Sequence, residues 1–174
     1  MKKQTAGTVV GRAAIGVALV GAAWLAVGAG EAQAGSASFV KKAAGTYRTS
    51  YTVTGLGTFQ GLLTLHPDGS MSASDTNDEG VLAGAKNSPG FGYWKQVGKK
   101  GLHGVIVAFG YDAAGTQTSV QVTSADATTA DFVTYDFTFT LKVYGPAQDY
   151  EDPTVTAAQT FTATGQGHHL NPNL

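Results

Sequence analysis

The chain contains no cysteine, which excludes disulfides, thiolate zinc sites and cysteine nucleophiles. A domain without disulfides must be held by its core and its backbone hydrogen bonds. Charge is also scarce, at 13% of residues, and no excess of positive charge is available to neutralise phosphates, which argues against a nucleic-acid partner. Beyond the first segment no stretch has the periodicity of an amphipathic helix. Serine nucleophile elbows, phosphate-cradling glycine loops and paired-histidine zinc motifs are all missing. Neither Asn87-Ser88-Pro89 nor Asn77-Asp78-Glu79 fits the N-glycosylation acceptor.

What is present begins with Lys2 and Lys3, then Arg12 and an apolar run from Ala13 to Ala29 that reaches the small-x-small triplet Ala32-Gln33-Ala34. That is the pattern of a cleavable signal peptide over residues 1–34, processed before Gly35. The alternative is a retained membrane anchor; the alanine and glycine content of the run and the adjoining processing site favour removal. No cysteine follows the run to accept a lipid. The protein is expected to be bacterial, periplasmic or secreted, with no membrane contact after cleavage. Removing 34 of 174 residues leaves 140, enough for one domain, with eight Lys and Arg against eleven Asp and Glu and a net charge of −3.

From Val133 to Val143 the odd positions are Val, Tyr, Phe, Phe, Leu and Val, and the even ones Thr, Asp, Thr, Thr and Lys. This two-residue period predicts a strand with one dry and one wet face. So long a ribbon requires neighbours along its whole length, as in a closed antiparallel sheet. Alternation broken by turn chemistry predicts further strands at Tyr47 to Val53, Phe59 to Leu65, Ser70 to Asp75, Phe91 to Val97, Leu102 to Tyr111, Thr116 to Ser124 and Thr154 to Thr164. Residues 35–44 read as a lead-in without a fold of its own, 45–164 as the β-barrel domain and 165–174 as a flexible tail. Residues 76–90 form the longest connection and are expected as the lid of any pocket. The whole predicts an all-β protein, an eight-stranded antiparallel up-and-down β-barrel preceded by a cleavable N-terminal signal peptide. Such a barrel is either packed or holds one small ligand.

Two segments open a strand with glycine, aromatic and cation: Gly45-Thr46-Tyr47-Arg48 and Gly92-Tyr93-Trp94-Lys95. At these residues the chain resembles the lipocalin and calycin group, whose first strand opens with glycine, any residue, then tryptophan. Here tyrosine replaces tryptophan in the first copy, and the literal form falls on a later strand. Barrels of the allene oxide cyclase and dirigent kind have nearly the same turn spacing. The resemblance implies a small barrel from residue 45 to about 164; function does not follow from it.

The dry faces gather Tyr47, Tyr51, Phe59, Trp94 (or its neighbour Tyr93), Phe109, Tyr135, Phe137, Phe139 and Phe161, candidates for contact with a small hydrophobic or aromatic ligand. A packed core of the same residues is the competing expectation. His66 with Asp68 could do acid–base work but sits in the turn His66-Pro67-Asp68-Gly69; His103 could face inward; His168 and His169 fall in the tail. Asp75-Thr76-Asn77-Asp78-Glu79-Gly80 begins like a calcium loop, but its twelfth position is Lys86 and not the required Glu. Glu is confined to loops and Asp136 falls on the wet face, leaving no evident buried carboxylate to drive an isomerase. No catalytic residue, metal site or cofactor is expected. The readings open at this point are a ligand-binding barrel, a cofactor-free cyclase or isomerase of the allene oxide cyclase type, and a partner-binding barrel with a filled core. Ligand identity and oligomeric state are not written in the sequence.

Overall fold

The computed structural model describes residues 35–76, 78 and 86–170; the expected signal peptide and most of the expected lid lie outside these. A short helix α1 (Ala37–Ala43) leads into strands β1 (Gly45–Val53), β2 (Gly57–Leu65), β3 (Ser70–Asp75), β4 (Lys86–Asn87), β5 (Gly90–Val97), β6 (Gly101–Tyr111), β7 (Gln117–Thr129), β8 (Thr134–Tyr144) and β9 (Gln159–His169). All pairings are antiparallel. The order β1, β2, β3, β5, β6, β7, β8, β9 returns to β1 through Tyr47↔His169 to Val53↔Ala163. This is a closed eight-stranded barrel, largely up-and-down. β4 pairs with the end of β6 at Lys86↔Tyr111 and Asn87↔Gly110, where β5 no longer reaches.

The lead-in is structured. Ser36 caps α1, its Oγ accepting from Phe39 N at 3.4 Å, and Lys41 and Lys42 occupy the last turn, where they complement the helix dipole. α1 closes one end of the barrel. Phe39 and Ala43 are buried with Tyr47, Leu65, Met71, Trp94, Leu102, Ala127 and Tyr135, and the Phe39 ring meets Phe132 edge-on at 5.4 Å. The aromatics of both glycine-led segments, Tyr47 and Trp94, thus meet at this plugged end. Tyr47 Oη donates to Ala43 O at 2.7 Å and ties helix to barrel.

Three strand boundaries differ from expectation. β7 continues to Thr129, because Ala125 and Ala127 are small inward-facing residues and not a turn; the turn comes after them, where Thr129 Oγ1 accepts from Phe132 N at 2.9 Å and donates to Thr134 O at 2.6 Å. The last strand runs from Gln159 to His169 and not from Thr154 to Thr164, so residues 165–168 of the expected tail are paired on both sides and His169 with Tyr47. Gly165 and Gly167 fall in the expected flexible tail, yet both occupy inward positions beside aromatic side chains.

Candidate functional site

Above the plugged end lies a cavity of about 210 Å³. Eight strands enclose an interior that ordinary side chains just fill, so volume is left where inward positions carry small residues. Thr49, Ala73, Gly104, Ala108, Ala125 and Gly167 hold such positions on this cavity's wall. One hydrogen-bonded row shows the effect: Asp75 pairs with Gly61, Gly61 with Thr49, Thr49 with Gly167, and Gly167 with Tyr135. Gly61 lets Asp75 pack close, a Cβ there falling 2.9 Å from Asp75 Cβ, and Thr49 and Gly167 on the cavity wall are too small to bridge the space from there to Tyr135.

The apolar wall comes from β1, β2, β6 and β8, with Tyr51, Phe59, Leu63, Ile106, Phe137 and Phe139 among the residues that line it. Tyr51 is the centre of an aromatic group: its ring stacks on Phe59 at 5.6 Å, meets Phe139 edge-on at 5.2 Å and lies 6.5 Å from Phe137. Its hydroxyl donates to Asp75 Oδ2. Burial, and then the Asp75 charge beside it, hold the Tyr51 phenol well above its ordinary pKa. Asp75 N and Ser74 Oγ donate to Asp78 Oδ2 at 3.0 and 2.7 Å, and Gln121 Nε2 donates to Asn87 Oδ1 at 2.7 Å. Asp75, Asp78, Asn87 and Gln121 all line the cavity, giving it one polar side.

At the floor, Tyr135 is 4% exposed, and its hydroxyl is buried beside the Tyr47 phenol without a hydrogen bond of ordinary geometry among the described residues. Burial pushes this phenol up to about 12. Tyr47, edge-on to it at 5.5 Å, is raised further, by burial first and then by Tyr135.

Among the aromatics expected at a ligand, Tyr47, Tyr51, Phe59, Tyr135, Phe137 and Phe139 line this cavity. Trp94 packs under the floor, 6.3 Å from Phe39, with Nε1 donating to His66 O at 3.0 Å. Phe161 packs at the far rim with Val53, Phe59 and Ala163. Phe109 is on the outer surface, 39% exposed. β6 is apolar at nearly every position, so its sequence does not reveal which face turns inward; the interior takes the small series Gly104, Ile106, Ala108, and the bulky Val105, Val107 and Phe109 go outside. Tyr93, the alternative to Trp94, is also outside, at 69% exposure.

His103 faces outward and pairs with Asp126 Oδ1 at 2.8 Å. Asp68 turns to Ser70, whose Oγ and N both donate to it and which, more than His66, lowers its pKa; the His66–Asp68 turn adjoins the plugged end, away from the cavity. His168 contacts Thr134 Oγ1 at 3.2 Å, and His169 packs edge-on against Tyr47 at 4.9 Å. No group of three metal-ligating side chains occurs among the described residues.

The polar side of the cavity, with the carboxylate of Asp75 bonded to Tyr51, is what the sequence leaves unseen. Asp75 shares a strand face with Met71 and Ala73, and that alternation was the available signal; its place at the strand end made it look like the start of a loop.

No protein-family model matches the chain, and no curated protein matches it. Among solved structures, that of EF1p2_mFAP2b bound to DFHBI is similar at a TM-score of 0.47 and 14% identity, over 80% of this chain and 99% of that one.

Proposed function

We propose that this is an exported small β-barrel that binds a small hydrophobic or aromatic ligand in its interior. The observation that carries the reading is the cavity itself, about 210 Å³ of space under apolar and aromatic walls. A dry cavity of roughly 150 Å³ takes benzene, so this one has room for a ring with a short substituent. The same volume weighs against a filled, purely partner-binding barrel. Export rests on the pattern of residues 1–34, from Lys2 and Lys3 to Ala32-Gln33-Ala34.

Native mass spectrometry of protein purified from its own host tests the reading. The expected result is a retained small molecule that is lost in Ala125→Leu, a substitution that fills the cavity. Absence of any retained mass, together with failure to take up benzene, would count against it.

A cyclase or isomerase of the allene oxide cyclase type draws on one specific observation, the Tyr51–Asp75 pair inside the cavity. A phenol and a carboxylate held together there can orient a flexible substrate and move a proton. That reading expects Tyr51→Phe to slow turnover with little change in Tm.

A further inference from the structure

We infer that the cavity selects a small organic cation, an apolar or aromatic body carrying a protonated amine, with its charged head at Asp75 and Tyr51. This rests on the ligand-binding reading above and narrows its ligand class. Three features of the cavity converge on it.

The first is charge. Asp75 and Asp78 both line the cavity, while no lysine, arginine or histidine is among the described residues that do so. A carboxylate on a wall of low polarity repels an anion, contributes little to a wholly apolar guest, and attracts an ammonium through a charge-assisted hydrogen bond.

The second is the aromatic setting. The rings of Tyr51, Phe59, Phe137 and Phe139 cluster beside that carboxylate at centroid spacings of 5.2 to 6.5 Å. Ring faces attract cations, and more strongly where water is excluded. A carboxylate among aromatic rings therefore discriminates by charge while the rings accept an apolar body.

The third is the other end of the same space. Tyr135 closes the row that begins at Asp75, and its buried hydroxyl, beside the Tyr47 phenol, makes no hydrogen bond of ordinary geometry among the described residues. Leaving such a group unsatisfied is costly. A guest lying against Thr49 and Gly167 on the cavity wall runs from Asp75 toward Tyr135, so the preferred ligand carries a hydrogen-bonding atom opposite its amine.

Calorimetric titration with three probes of one shape tests this: tyramine, its neutral alcohol analogue tyrosol and its anionic analogue hydroxyphenylacetate, with benzene as a control for the cavity. Tyramine is expected to bind roughly tenfold or more tighter than tyrosol, and hydroxyphenylacetate the weakest. Asp75→Asn, if its melting curve shows it folded, should bring tyramine down to tyrosol's affinity. The wild-type order alone is decisive if that variant does not fold. Equal binding of tyramine and tyrosol, or a preference that survives in folded Asp75→Asn, overturns the inference. Benzene uptake with none of the three probes bound also overturns it and leaves the ligand-binding reading standing, whereas failure of all four removes that reading as well.

Discussion

Tyr51 and Phe137 face each other across Gly165, which is paired in register with Tyr51 on one side and Phe137 on the other. A Cβ at Gly165 would lie 2.4 Å from Ser50 O, 2.5 Å from Tyr51 Cβ and 2.8 Å from Phe137 Cζ. The glycine is required by the close approach of its neighbours. Gly165→Ala is expected to cost about 1–3 kcal/mol. At Gly167 the nearest atoms would be 3.7 Å away, an ordinary contact, so Gly167→Ala is expected to be neutral or slightly stabilising. Urea unfolding of the two variants checks this; equal effects would contradict the assigned packing.

Two neighbouring phenols should respond oppositely to loss of their hydroxyls. Tyr47 Oη holds the Ala43 carbonyl, and Tyr47→Phe is expected to cost about 1 kcal/mol. Tyr135 Oη makes no hydrogen bond of ordinary geometry among the described residues, and Tyr135→Phe is expected to leave stability unchanged or raise it by up to about 1 kcal/mol. A larger loss in Tyr135→Phe than in Tyr47→Phe would contradict the structure.

The same phenol gives stability a pH dependence. Tyr135 is raised from an ordinary 10.0 to about 12, so between those values the unfolded chain has released a proton that the folded chain keeps. Its contribution is constant below pH 10 and is lost as pH rises toward 12. Tyr47 and Tyr51 are raised in the same direction and add to the fall. In a Tm series across this range Tyr135→Phe should decline less steeply than the wild type; parallel curves would show that the phenol is not buried in the folded state.

Helix α1 is a plug and not a leader. Phe39 is 3% exposed, with Trp94 and Phe132 against its ring. Phe39→Ala is expected to cost about 3 kcal/mol, read from urea unfolding. A cost below about 0.5 kcal/mol would mean that the helix does not dock.

How much of this was legible in the sequence depends on how each strand divides its residues between faces. β8 alternates strictly, so Tyr135, Phe137 and Phe139 could be placed inside from the pattern alone, and the closed sheet with them. β6 carries apolar residues on both faces, and nothing in its composition says that Phe109 goes out and Gly104 in. The same ambiguity hid the hollow. A cavity is made by the residues that fail to fill it, and Thr49 and Gly167 fall between Asp75 and Tyr135 only when five strands are set in register. Ala125 reads as the start of a turn and Gly165 as the start of a tail, because small side chains serve in loops as well as at tight inward positions. Asp75 could have been found by continuing the alternation of Met71 and Ala73 one step further.

The central claim is that the interior above Tyr47 and Tyr135 is open space. Diffraction from crystals held under xenon tests it most directly, because xenon occupies apolar cavities without needing a specific contact. Xenon density is expected between Leu63, Ile106 and Phe137. An interior closed by those side chains, with no xenon bound, would contradict it.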